Sequence, residues 1–146
     1  MRKTVFAVLT PIVLMAGTAV MLAAEKPATT PQRACPVTGK AVDRNIHIDF
    51  QGQRIYFCSA ACPAEFRKDP EKYFAKIAEA GVELENIQTT CPVSGDTLEG
   101  GDMGEPVTML YKGRTIKFCC NMCPPTFKKD PATYLAKLPG EQPASK

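Results

Sequence analysis

Ile55-Tyr56-Phe57-Cys58-Ser59-Ala60-Ala61-Cys62-Pro63 returns 61 residues later as Ile116-Lys117-Phe118-Cys119-Cys120-Asn121-Met122-Cys123-Pro124. Working outward on the N-terminal side, Cys35-Pro36-Val37-Thr38-Gly39 matches Cys91-Pro92-Val93-Ser94-Gly95, now offset by 56. On the C-terminal side, Phe66-Arg67-Lys68-Asp69-Pro70 matches Phe127-Lys128-Lys129-Asp130-Pro131, and Tyr73 matches Tyr134. The change of offset places five extra residues between Gly95 and Gly113, and the Gly100-Gly101-Asp102-Met103-Gly104 stretch is the expected loop. The chain is thus two copies of one unit.

Local patterning gives each unit its elements. Ile46, Ile48 and Phe50 alternate with His47 and Asp49, and Ile55 and Phe57 resume the alternation after Gln51-Gly52. An X-Gly pair between two alternating runs predicts a hairpin, and Lys112-Gly113 repeats it. Ser59 is the expected cap of a helix that begins near Ala60, with Phe66 on its buried side. Asp69-Pro70 predicts a second helix start, with an acidic N-cap and proline at the first helical position. Tyr73, Phe74 and Ile77 form the buried stripe of that helix, and Gly81 ends it. Asp130-Pro131 and Pro139-Gly140 bound the second copy's counterpart. Each unit is therefore a cysteine turn, a β-hairpin and two short helices, an α+β arrangement. Units of about fifty residues rarely bury enough apolar surface alone, so disulfides or a metal are expected to complete them.

The flanks read differently. Met1-Arg2-Lys3 is basic, Thr4 to Ala24 carries no charge, and Glu25 is the first acid. This predicts an export signal peptide over 1–24, or an anchor if that segment is retained. Residues 25–33 read as a tether, 34–81 as the first repeat, 82–89 as a linker, 90–139 as the second repeat and 140–146 as a polar tail. Without Arg2 and Lys3, sixteen basic residues face fifteen acids, and no basic stripe remains for nucleic acid.

Seven cysteines in a short exported chain suggest disulfides by compartment. Three per repeat is an odd set for pairing within a copy, and a natural one for a three-ligand metal site. Cys62, in the first turn of the helix expected after Ser59, would have its thiolate favoured by the helix dipole. The hairpin would bring the Pro-Val-X-Gly turn towards the same point.

The Cys-Pro-Val turn, the Tyr-X-Phe-Cys-X3-Cys stretch, the phenylalanine after it and the Asp-Pro-X-X-Tyr helix start resemble the YHS/TRASH group of small metal-binding domains. The resemblance covers about Cys35 to Lys76 and Cys91 to Lys137. It implies treble-clef-like units, a role in metal trafficking, sensing or resistance, and the ligand sets Cys35, Cys58, Cys62 and Cys91, Cys119, Cys123. The chain departs from the group in lacking the YHS tripeptide and in carrying Lys117 where the first copy has Tyr56. Thr38 and Ser94 stand where many relatives have a further cysteine.

Three thiolates suit a site with an open position, or a soft ion such as Cu(I), so Zn or Cu(I) is expected, up to two ions per chain. Cys120, which aligns with Ser59, is either a fourth ligand of the second site or a free thiol. His47, the single histidine, aligns with Thr108 and is expected to point outward. Met103, Met109 and Met122 all lie in the second copy and could supply soft thioether donors, but Met109 reads first as a strand residue and Met122 as filling a gap in packing. The expected function is an exported, periplasmic or extracellular, non-enzymatic metal-binding protein. Its partners are the metal ion and a membrane or periplasmic metal-transport protein; the membrane itself takes part only if the N-terminal segment is retained. The alternatives are a metal- or disulfide-stapled scaffold presenting an interaction surface, and a thiol oxidoreductase using Cys120-Asn121-Met122-Cys123.

Overall fold

The computed structural model describes residues 30–99 and 104–143. The signal or anchor at 1–24, most of the tether, most of the glycine loop and the last three residues lie outside them. Among the described residues no helix is long and apolar enough to cross a membrane.

The structure mixes helix and strand in two similar units. In the first, β1 (Thr30–Pro31) precedes the hairpin of β2 (Asp43–Phe50) and β3 (Gln53–Phe57), followed by α1 (Cys62–Lys68), α2 (Pro70–Glu79), β4 (Val82–Glu83) and β5 (Glu85–Asn86). The second has the hairpin of β6 (Val107–Tyr111) and β7 (Arg114–Phe118), then α3 (Cys123–Lys129) and α4 (Pro131–Leu135). His47 faces Tyr56 and Ile48 faces Ile55, while Thr108 faces Lys117 and Met109 faces Ile116. Both turn residues have positive φ in each hairpin, 44° and 78° at Gln51-Gly52 and 47° and 78° at Lys112-Gly113. This is the two-residue turn whose twist matches the strands it joins.

Each unit has an aromatic centre. Phe66 is fully buried and meets Phe50 edge-to-face at 5.5 Å, with Phe57, Tyr73 and Phe74 around it. Phe127 repeats this among Tyr111, Phe118 and Tyr134. Each such ring pair contributes about 0.5–1.5 kcal/mol beyond its area. Asp69 caps α2 by accepting from the Lys72 N–H at 3.2 Å, and Asp130 caps α4 through Thr133.

Several boundaries differ from the sequence reading. The first helix starts at Cys62 rather than near Ala60, and Ala61 precedes it without a side-chain cap. The Ser59 hydroxyl lies 3.2 Å from the Cys62 sulfur, so it serves the thiol rather than the helix terminus. The end of the tether is built into the fold: β1 pairs in parallel with β4, and Gln32 is buried. The linker is likewise ordered, since β5 adds to the hairpin beside β3. In the second unit α4 stops at Leu135, and tighter i→i−3 turns carry the chain to a buried Leu138. The start of the tail docks on the first unit. Glu141 exchanges backbone hydrogen bonds with Asp49 and Gln51, and its carboxylate pairs with Arg67.

The units are joined through β7. The side chains of Gln53 and Asn86 both donate to the Thr115 carbonyl. Arg114 is fully buried, stacks its guanidinium 3.7 Å over the Phe74 ring and donates to Glu71 and to the Lys112 carbonyl. A Cβ on Gly113 would stand 2.2 Å from the Phe74 carbonyl oxygen, so the hairpin tip touches α2 backbone to backbone. Gly113→Ala is expected to lower the urea midpoint by more than Gly52→Ala does. Both carry the left-handed cost of about 1–2 kcal/mol. At Gly52, however, the nearest atom belongs to the movable Gln88 side chain at 3.0 Å. Equal losses for the two substitutions would show that the hairpin tip does not rest on α2.

Candidate metal centre

Each centre is assembled from the turn, the end of the second strand and the start of the first helix. In the turn, Cys35 N–H donates to the Lys40 carbonyl at 2.7 Å and Gly39 N–H to the Cys35 carbonyl at 2.8 Å. The second copy repeats both bonds at 2.8 Å, through Asp96 and Gly95. Ala34 bridges Ala41, and Thr90 bridges Thr97, closing each turn into a knuckle. Cys58 and Cys119 follow the last residues of β3 and β7, while Cys62 and Cys123 open α1 and α3.

The sulfurs of Cys35, Cys58 and Cys62 lie within 4.8 Å of one another, as do those of Cys91, Cys119 and Cys123. Cys58–Cys62 and Cys119–Cys123 are both 3.6 Å apart. Thiolates at 2.3 Å from one ion stand about 4 Å apart, so both sets fit a shared ion. A disulfide requires about 2.05 Å, and all seven cysteines are free thiols. Cys35 and Cys91 are buried at 2% and 1% exposure, whereas Cys58 is half-buried. The donor set is soft and partly shielded from water, as a thiophilic cation requires.

Hydroxyls stand beside the thiols. Thr38 Oγ1 is 3.0 Å from Cys58 Sγ, and Ser94 Oγ is 3.2 Å from Cys119 Sγ. Asp96 Oδ2 lies 3.7 Å from Cys119 Sγ in the second centre. Cys120 Sγ is 3.6 Å from Cys123 Sγ, at the edge of the set and outside the mutually close trio.

The thiolate sits at the turn rather than at the helix start. Burial raises the Cys35 thiol, but the Thr38 and Cys58 N–H groups and the Thr38 hydroxyl outweigh it and bring it down to about 7. Cys91 also falls to about 7, where burial is outweighed by the Ser94 hydroxyl and by the N–H groups of Ser94 and Cys119. At the helix starts, the Ser59 hydroxyl lowers Cys62, yet burial and the neighbouring thiols Cys58 and Cys35 leave it raised. Burial, with Cys120 and Cys119, pushes Cys123 up. Burial and crowding by neighbouring thiols thus govern the cysteines at the helix starts, and the amides of the turn govern Cys35 and Cys91. In metal-free protein, thiolate absorption is therefore expected to begin with two groups of midpoint near pH 7. Cys35→Ser and Cys91→Ser should each remove one of them. Because these pKa values are depressed on folding, their stabilising contribution is full above the unfolded thiol range and is lost as pH falls through about 7. The Met122 N–H and the Cys123 thiol lower Cys120 as well, so the check is made in a Cys120→Ser background, where a midpoint near pH 7 that survives both substitutions would contradict this assignment.

The remaining sequence candidates separate. His47 is exposed and packs its ring 5.7 Å from Tyr56, away from both trios. Met109 is a half-buried residue of β6 against the second core. Met122 is 81% exposed, so it fills no gap. Met103 lies outside the described residues. Two glutamines escaped notice. Gln32 donates to the Tyr56 carbonyl at 2.8 Å and accepts from the Tyr56 N–H at 2.9 Å; Gln88 does the same to Lys117 at 3.2 and 2.9 Å. Each holds the strand two residues before the middle cysteine. Each also stands three residues before its first cysteine, so the 56-residue offset carried the signal.

The family model for the YHS domain matches residues 34–76. No curated protein and no solved structure matches the chain. The residues that match this model, 34–76, contain the whole of the first trio, Cys35, Cys58 and Cys62.

Proposed function

We propose that the chain is an exported, non-enzymatic protein that holds thiophilic metal ions, of the Zn or Cu(I) class, one in each of two tandem YHS-type units. The role is sequestration, trafficking or resistance. The observation that carries the reading is the convergence of three thiols in each unit, within 4.8 Å, from three separated points of the chain. The second unit qualifies by its internal likeness: the same knuckle, the same 3.6 Å sulfur pair and the same glutamine brace. Export rests on the uncharged segment after Arg2-Lys3, and the partner proposed is a membrane or periplasmic metal transporter. The test is elemental analysis of the mature protein isolated under reducing conditions, with thiol titration before and after chelation. Up to two ions per chain, and thiols that become reactive only on chelation, support the reading. Metal-free protein with all thiols reactive overturns it.

One observation favours a structural variant of this reading: Cys35 and Cys62 belong to the same buried cluster as Phe57 and Phe66. A metal that leaves only as the chain unfolds is a staple, and the protein is then a scaffold. Loss to a competing chelator much faster than unfolding marks an exchangeable cargo.

A further inference from the structure

The two centres share their trios but differ at the rim. Cys120 aligns with Ser59 and Met122 with Ala61, so the second centre alone carries two extra sulfur donors. The Cys120 sulfur touches Cys123 at 3.6 Å, yet it stands outside the trio of mutually close sulfurs and is only half-buried. Met122, between Cys120 and Cys123 in the sequence, is 81% exposed, so its thioether is open to solvent. A solvent-exposed thioether and a half-buried thiol thus stand two residues apart in the loop that leads into the trio. At the first centre the corresponding positions offer a hydroxyl, which is a hard donor, and a methyl group.

Building on the metal-holding reading, we infer that Cys120, assisted by Met122, is a loading thiol through which the second centre exchanges a soft monovalent ion with thiol-bound donors. Soft ions pass between thiolates by association: a new sulfur–metal bond forms before the old one breaks, so no free ion is released. Here the Cys120 sulfur bonds to the incoming Cu(I) and gives up its proton, and the donor's thiolate departs and takes up a proton. The ion then exchanges Cys120 for Cys123, in contact with it, and for the other two sulfurs; the proton that Cys123 gives up returns to Cys120, and any other thiol proton leaves to solvent. No electron is transferred. The consequence is two centres of unequal kinetics in one chain, one quick to exchange and one slow.

The test uses full-length chains with one trio intact. Cys58→Ser with Cys62→Ser leaves the second centre, and Cys119→Ser with Cys123→Ser leaves the first. Cu(I) is supplied anaerobically as its glutathione complex, and uptake is followed by the sulfur-to-copper absorption, with circular dichroism to confirm folding. The second centre is expected to load at least about tenfold faster than the first. Adding Cys120→Ser should bring its rate down to that of the first centre, with a smaller loss of affinity in chelator competition. Adding Ser59→Cys to the first-centre chain should speed its loading. Loading indifferent to Cys120, or an affinity loss as large as the rate loss, overturns the inference; the second result makes Cys120 a permanent ligand. Failure of both folded chains to take up Cu(I) while they still bind Zn(II) overturns the inference alone; failure to take up either ion overturns the metal-holding reading itself.

Discussion

Cys58→Ser together with Cys119→Ser is expected to strip both metal ions from the chain, and each substitution alone to leave one. These two thiols are the middle members of their trios, placed at strand ends by the hairpins. Serine keeps the shape, but its hydroxyl does not ionise in this range and is a hard donor, so a soft ion loses a third of its ligation. Losing a partner that merely orients a ligand costs about 10–100-fold in affinity, and losing a ligand costs more. Cys58 is half-buried and Cys119 is buried, so circular dichroism of each variant separates lost ligation from lost folding. The Thr38 and Ser94 hydroxyls beside these sulfurs can hydrogen-bond the introduced serines and keep the knuckles closed. Elemental analysis of the desalted protein gives the count. Two ions retained in the double variant would mean that the trios are not the ligands.

Glu71→Ala is expected to destabilise the protein by about 3 kcal/mol, although the side chain it removes is 55% exposed. The reason lies in its partner. Arg114 is fully buried, and burial lowers its pKa against the opposing effect of Glu71. Its Nε finds no hydrogen-bond partner among the described residues. Removing Glu71 leaves that guanidinium with the Lys112 carbonyl and the face of Phe74. A buried charge stripped of its counterion is among the costliest single defects, whereas replacing the whole pair by apolar side chains is often neutral. Arg114→Met should therefore cost less than Glu71→Ala, and the combined Glu71→Ala, Arg114→Met chain should recover most of the loss. Urea denaturation of the two single variants and the combined one completes the cycle. Additive losses, with no recovery in the combined chain, would show that the pair is not coupled. Because Glu71 lies on α2 and Arg114 on β7, the same cycle measures how firmly the units are joined.

The repeat, the X-Gly hairpin turns and the Asp-Pro helix starts were legible in the amino-acid order. The convergence of the cysteines was legible too, as a consequence of folding a knuckle and a hairpin together. The structure brings the six cysteines of the two trios into contact distances and leaves Cys120 at the rim. Other features did not follow from the sequence pattern. Ser59 was read as a helix cap by its position, but a thiol nearby competes for its hydroxyl. Cys62 was read as the thiolate by its helix, but crowding by two other thiols raises it and the knuckle amides favour Cys35 instead. Thr30 to Arg33 were read as the end of a tether and Glu141 to Gln142 as the start of a polar tail. Their backbone groups nonetheless find partners on strands far away in the chain.

What the sequence alone determined is what a few neighbouring residues decide: left-handed turns, capped helix starts, strand alternation and the spacing of the thiols. These depend on φ preferences and on hydrogen bonds within one turn of chain. Only the tertiary structure decided which distant groups meet. Arg114 and Glu71 are 43 residues apart, and Gln53 and Thr115 are 62 apart. Nothing in either segment names the other, because such contacts are chosen by the packing of whole units, where burial removes water as the competing partner and makes one hydrogen-bonded arrangement prevail.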